Sequence, residues 1–224
     1  MRQDRIAKII LNNMKNVQLD QIYEGVDYSG IKIEFQEFSE NKPLCVFGIL
    51  NNDLGKNIAK EMLSWLTETY NVICVYQEPP GKLFEYPAIY YAIKLAIEMN
   101  EPVLYLHTKG AANYAWYQIP VRQMWKNEFG TDRINLYLDA VNCIEPAVST
   151  PISKENGSTV FNGFIMNPSA AKLLQNTFHQ SSDRFYFENL FNNNEYKISG
   201  ILTQNATEQQ LENMQHNKQL FNYA

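Results

Sequence analysis

Long apolar runs are missing from this chain, and with them any segment able to cross a bilayer as a helix. The opening Met1-Arg2-Gln3-Asp4-Arg5 leads into an interrupted amphipathic pattern instead of the apolar core of a secretory leader. Cysteine is scarce. Cys45, Cys74 and Cys143 are odd in number, sit in or beside apolar runs and lack metal-ligand spacing, which predicts free thiols in a reducing, cytoplasmic compartment. Excess positive charge is also lacking: a net charge of -5 argues against general nucleic-acid binding. There is no internal repeat, and the frequent asparagines never form a prion-like tract. With 45% hydrophobic and 19% charged residues, disorder is excluded too. What is present is 224 residues, enough for one domain with a substantial core.

Ile6, Ile9, Ile10 and Met14 share one helical face, so the first fifteen or so residues are predicted as an amphipathic helix. Ile31, Ile33 and Phe35 alternate with Lys32 and Glu34, the pattern of a half-buried strand. From Pro43 the rhythm becomes strand, helix, strand, helix. Leu44 to Leu50 reads as a strand, and Asn52 or Asp53 caps a helix carrying Ile58, Met62, Trp65, Leu66 and Thr69. Val72 to Tyr76 reads as a second strand, and Pro87 fits the first turn of a second helix. Such alternation predicts a mostly parallel sheet with helices on both faces. Further helices are expected from Pro120 to Phe129, over Asp132 to Cys143, from Asn167 or Ser169, and near Asp183 to Phe191. Ile144 to Val148 reads as a strand followed by a polar loop through Ser158, and Thr159 to Met166 as an apolar strand interrupted by Asn162-Gly163. Thr207 with Gln210 forms a capping box that opens a polar C-terminal helix.

The chemistry concentrates in one stretch. Val103 to Leu106 is a buried strand bounded by Pro102 and Gly110, and it ends in His107-Thr108-Lys109-Gly110. In an open α/β sheet ligands gather at the carboxyl ends of strands. A mobile cation, a hydroxyl and a glycine suit a phosphate there. The Gly-rich spacing of a Walker loop is absent.

Several segments together resemble a known family. These are Phe84-Glu85-Tyr86-Pro87, Val103-Leu104-Tyr105-Leu106-His107-Thr108-Lys109-Gly110-Ala111, and Arg122 close to Trp125. They are similar to glycosyltransferase-like proteins of polysaccharide biosynthesis that carry a "YLHTKG" signature. Phe161-Asn162-Gly163-Phe164-Ile165-Met166-Asn167-Pro168 resembles that family's "F-S-G-N-F" segment and the "F-N-x-G-x-x-x-x-N-P" segment of GT-A nucleotide-sugar transferases. Arg184 and Glu188 resemble its "R-x-x-x-E" pair. The aromatic pair after the "G-N-F" is replaced here by Ile165-Met166, and "D-W-R" by Pro120-Val121-Arg122.

The resemblance implies a GT-A-like α/β domain over residues 43–200, a mixed, mostly parallel sheet flanked by helices. Residues 1–42 form an N-terminal helix and strand extension, and residues 201–224 a C-terminal helical tail. It implies transfer of a sugar from a nucleotide-sugar donor to a polysaccharide or glycan acceptor. A non-catalytic module that binds a nucleotide, phosphate or glycan is the alternative, and a different phosphate-binding enzyme on the same sheet is a third. GT-A enzymes usually place Asp-x-Asp and a divalent metal at this strand end; here His107-Thr108-Lys109 stands instead, so no metal or other cofactor is expected. Lys109 is assigned to the diphosphate, with Thr108 and the Gly110 backbone as further donors. His107 either donates to a phosphate or orients the loop. Glu85 either accepts from a ribose or from Lys109, or is a plain helix-start carboxylate. Asn162 and Gly163 line the sugar or acceptor pocket, or Asn162 is a buried residue bonded to backbone. Glu188, ahead of Asp183, is the candidate base for an acceptor hydroxyl, or else pairs with Arg184 on a helix surface. Arg122 reaches a phosphate, closes the loop, or is a surface charge.

Overall fold

The computed structural model describes residues 2–9, 31–36, 38–77, 85–109, 111, 118–154, 156–179, 181, 186–193 and 195–207. Helix α1 covers residues 2–9. There follow β1 (Ile31–Phe35), β2 (Leu44–Leu50), α2 (Asp53–Thr69), β3 (Asn71–Gln77), α3 (Tyr86–Met99) and β4 (Val103–His107). The second half holds α4 (Gln118–Phe129), α5 (Ile134–Ala140), β5 (Ala147–Lys154), β6 (Phe164–Met166), α6 (Pro168–Gln175) and β7 (Lys197–Ala206). Short 3-10 turns lie at Val160–Asn162 and Phe187–Asn189. The sheet is mixed, in the order β1-β3-β2-β4-β6-β5-β7. β2 is parallel to both β3 and β4, and β7 is parallel to β5. β1 runs antiparallel to β3, and β6 runs antiparallel to both β4 and β5.

Each central strand is apolar throughout because both of its faces are covered. Leu44, Val46, Val103 and Tyr105 point to the face packed by α1, α3 and α6. Cys45, Phe47, Leu104 and Leu106 point to the face packed by α2, α4 and α5. Ile6 and Ile9 join the first of these layers, so the predicted N-terminal helix and strand are continuous with the main sheet and its core. Ile10 and Met14 lie outside the described residues. On α2 the predicted cap is realised, with Asn52 Oδ1 accepting from Gly55 N at 2.6 Å. The Asn52 amide also donates to Ala111 O at 2.9 Å, tying the loop after β4 to the start of α2. Asn52→Ala should therefore cost about 1 kcal/mol in urea unfolding, the usual worth of a cap. An unchanged midpoint would remove the cap from the argument.

The second half departs from expectation in five places. The predicted helix over Asp132 to Cys143 is shorter, Ile134–Ala140, with turns on either side. The strand expected at Ile144 begins at Ala147, and the segment taken as polar loop is strand through Lys154. Ile144 itself is exposed. Ser149, Thr150 and Ser153 look like loop residues, yet all are buried. Two of their hydroxyls are matched across the fold, Ser149 Oγ donating to Tyr137 O at 2.9 Å and Thr150 Oγ1 to Gly163 O at 2.9 Å. Only Phe164–Met166 of the predicted 159–166 strand is strand, preceded by the 3-10 turn that holds Asn162. Ile201 to Ala206, placed in a helical tail by the sequence, continue β7. Its pairing with β5 shifts register between Thr150 and Ile152 and again between Ile152 and Lys154, so no regular alternation marks it. Of the helix near Asp183 to Phe191, residues 186–191 are described, with a 3-10 turn at Phe187–Asn189; the capping-box helix after Thr207 and residues 182–185 lie outside the described residues.

Among the described residues no helix is long and apolar enough to cross a membrane. At the amino end of the strands, α1 is clamped by Arg2, which pairs with Glu101 and donates to the carbonyl of Lys42 at 3.2 Å. Arg5 donates to Glu98 O at 2.6 Å, near the end of α3. An open groove of about 520 Å³, lined by Arg2, Lys42, Glu101 and Asp139, lies here.

Candidate functional site

β2 leads through α2 to β3 on one side, whereas β4 leads on to β5 on the other, so the chain changes direction between β2 and β4. The carboxyl end of that pair is where an open α/β sheet presents a crevice. His107 to Lys109 lie there as predicted, following an interior strand that is parallel to β2 but antiparallel to β6. Segments 78–84 and 112–117, which flank this end in sequence, lie outside the described residues, as does Gly110. The 520 Å³ groove is at the opposite end of the strands and contains none of the candidate residues.

Thr108 and Arg122 hold the strand end in shape. Thr108 N donates to Gly48 O at 2.8 Å, and Leu50 N donates to the Thr108 hydroxyl at 3.1 Å, so the residue stitches β4 to β2. Arg122 is buried, and its guanidinium donates to Lys109 O at 2.9 Å while approaching Glu61 at 3.7 Å. Of its three sequence readings, the contact with the loop backbone is the one observed.

Lys109 is 9% exposed, and its Nζ stands 5.7 Å from the centre of the Phe161 ring, a cation–π arrangement. Phe161 and Asn162 both adopt left-handed backbone, with φ of 66° and 55°. Two successive non-glycine residues in that region store strain of about 1–3 kcal/mol each. The turn brings Asn162 Nδ2 to Glu85 Oε2 at 2.8 Å. Asn162 and Lys109 therefore meet at one site, as expected, although Asn162 is on a turn and not on a strand. Gly163 has a packing role: a Cβ there would meet Trp125 Nε1 at 2.5 Å and Leu106 Cδ2 at 2.9 Å.

Glu85 is the centre of the arrangement. It occupies the cap position of α3 but makes no side-chain cap bond. The carboxylate turns instead toward the sheet, where Tyr105 donates to Oε2 at 3.2 Å and His107 Nε2 lies 3.5 Å from Oε1. Burial pushes the Glu85 carboxyl up to about 7, against the opposing pull of the Lys109 charge, the Tyr105 hydrogen bond and the Asn162 hydrogen bond, while the charge of Glu188 adds to the rise. Burial first and the Lys109 charge second hold the His107 imidazole well below its ordinary range, although the Asn162 backbone works the other way. His107 is thus neutral, and its contact with Glu85 is polar and not ionic. Burial and the Glu85 charge keep Tyr105 a phenol. Glu188, on the 3-10 turn Phe187–Asn189, faces Glu85 through its charge; Asp183 and Arg184 lie outside the described residues. No group of three or more His, Cys, Asp or Glu side chains capable of holding a metal occurs among the described residues.

Tyr105 and Phe161 were not singled out from sequence. Tyr105 had a signal, since it shares a strand face with His107 two residues on. Phe161 had none, because its place over Lys109 depends on the left-handed turn.

A titration follows from Glu85. An acid raised from 4.5 to about 7 holds its proton more tightly in the folded state. Its stabilising contribution is full below 4.5 and is lost as pH rises through about 7. Glu85→Gln should accordingly gain on the parent protein between pH 5 and pH 8. The gain is on the order of 1–2 kcal/mol for a side chain that keeps some solvent contact. Thermal unfolding of both proteins at the two pH values checks it, and a pH-independent difference would contradict it.

No protein-family model, curated protein or solved structure matches this chain.

Proposed function

We propose that this chain is a glycosyltransferase-like protein that takes a sugar from a nucleotide-sugar donor and passes it to a polysaccharide or glycan acceptor. The observation that carries the reading is the gathering of Lys109, Glu85, Glu188, His107 and Asn162 at the carboxyl end of β4, beside the point where the chain changes direction. Supporting the finer GT-A-like assignment is a mixed sheet flanked by helices, although its pairings are half parallel and half antiparallel where the sequence resemblance implies a mostly parallel sheet.

Lys109 is the cation for the leaving diphosphate, a place where related enzymes use an acid pair and a metal. Val103 to Gly110 holds no Asp or Glu, so a hard divalent ion meets few oxygen ligands along that stretch. The preformed positive charge serves the same end, because it favours the charge that develops on the leaving phosphate. Asn162 offers its amide to sugar hydroxyls, and the Glu85 carboxylate offers an acceptor to the attacking hydroxyl. Glu188 is the base the sequence assigns, and His107 stands beside the Glu85 carboxylate.

The test is a thermal-shift panel of nucleoside diphosphates and nucleotide-sugars, since a ligand of the native state raises its melting temperature. A shift with UDP- or GDP-sugars, followed by nucleotide release, is the expected result. Binding without release would leave the binding-module alternative. No shift with any of them would end the reading.

A further inference from the structure

We propose that Glu85, and not Glu188, is the base that takes the proton from the acceptor hydroxyl at this site. The inference rests on the transferase reading above and assigns a residue to its chemical step.

The geometry isolates one oxygen of the Glu85 carboxylate. Oε2 accepts from Asn162 Nδ2 at 2.8 Å and from the Tyr105 hydroxyl at 3.2 Å, which fixes the plane of the group. Among the described residues Oε1 has only His107 Nε2, at 3.5 Å, too long for a sound hydrogen bond. The side chain keeps 22% of its surface exposed, so a hydroxyl can reach it. A carboxylate at a helix start would ordinarily satisfy the helix N–H groups, but this one makes no cap bond.

Other polar atoms are left unmatched around it. Asn162 Oδ1, His107 Nδ1 and Trp125 Nε1 are buried and meet no hydrogen-bond partner among the described residues. Asn162 is 1% exposed and Trp125 is 0% exposed, so solvent does not serve them. The His107 and Trp125 rings are edge to face, with centres 5.4 Å apart. Unpaired buried donors and acceptors are rare in folded proteins, and a cluster of them marks where a polar ligand completes the set. The strained turn at Phe161 and Asn162 holds this cluster against Glu85. Among the described residues, Tyr105 and His107 from β4, Lys109 after it, Asn162 from the turn and Glu188 from the second 3-10 turn are the polar and charged groups that face the carboxyl.

The step balances as a single displacement. The acceptor oxygen bonds to the anomeric carbon as its proton passes to Glu85 Oε1. The bond from that carbon to the phosphate oxygen breaks, and its electron pair leaves on the nucleoside diphosphate facing Lys109. The proton is then returned to solvent, directly or by way of neutral His107. One displacement inverts the anomeric configuration.

The experiment uses the full chain with UDP-glucose, UDP-galactose and GDP-mannose, reading donor affinity by calorimetry and nucleotide release with water or glycan as acceptor. Glu85→Gln keeps an oxygen for Tyr105 and Asn162 but cannot take a proton. Its donor affinity should stay within about twofold of the parent's, while release falls by about a hundredfold or more. Parent release should rise with pH through about 7. Glu188→Gln should lose far less of the rate than Glu85→Gln, and the transferred sugar should have inverted configuration. Donor binding with an undiminished rate in Glu85→Gln, loss concentrated in Glu188→Gln, or retention of configuration would overturn the assignment and leave the transferase reading standing. Binding without any release by the parent protein would overturn the assignment as well. No binding of any of the three donors would overturn the transferase reading itself and this assignment with it.

Discussion

Asn167→Ala is expected to be the most damaging single truncation outside the hydrophobic core, at about 3–4 kcal/mol. The residue is 1% exposed and serves five backbone groups at once. Its Oδ1 accepts from Ala170 N at 2.8 Å, capping α6, and from Ala147 N at 3.1 Å, fixing the start of β5. Its two amide protons are shared among Glu145 O at 2.8 Å, Cys143 O at 3.1 Å and Val141 O at 3.3 Å. Removing the side chain orphans two N–H groups and three carbonyls, of which those nearest the surface recover water. For a chain of this length the melting temperature should fall by roughly 10 °C. Asn167→Asp separates the parts, since it keeps the cap but turns an acceptor toward three carbonyls. Denaturant unfolding of both variants decides it, and a loss below about 1 kcal/mol for the alanine variant would show the hub is redundant.

Lys109→Ala should lower nucleoside-diphosphate affinity about thirtyfold, corresponding to about 2 kcal/mol for one charge-assisted contact. The reason is local charge. Glu85 and Glu188 put negative charge close to where a diphosphate would sit, and Lys109 is the group set against them. Affinity should fall with added salt and persist in the presence of a chelator. Calorimetry with UDP and GDP, with and without chelator, reads all three effects. Binding that disappears with chelator and returns with magnesium or manganese would place a metal where the lysine is assigned. Unchanged affinity in the alanine variant would remove the lysine from donor binding.

The first half of the fold was legible because its signals are local. β2 and β4 are apolar on both faces, α2 has its Asn52 cap, and Pro87 stands at the start of α3. The later strands were obscured because their determinants are distant in sequence. Ser149 and Thr150 read as loop until Tyr137 and Gly163 are seen to accept from them. β7 hides behind two register shifts. The candidate site divides in the same way. Lys109 follows from its strand and its loop. Glu85 reads either as a partner of a ribose or Lys109 or as a helix-start carboxylate, because the residue that turns it inward, Asn162, is 77 positions further along.

One consequence of β6 concerns how the molecule comes apart. Only three residues long, it carries the backbone pairing between β1-β3-β2-β4 on one side and β5-β7 on the other. Val103, Leu104 and Tyr105 pair with it from one flank, Val148 and Ser149 from the other. The sheet therefore has a seam, and the seam ends at Asn162, beneath the candidate site. Partial opening of the native state would be expected to run along such a line, and it would pull Lys109 and Glu85 away from Asn162. A ligand held by both sides would act as a rivet across it. Amide protons of β6 would then exchange more slowly as ligand is added, while those shared by β2 and β3 would change little.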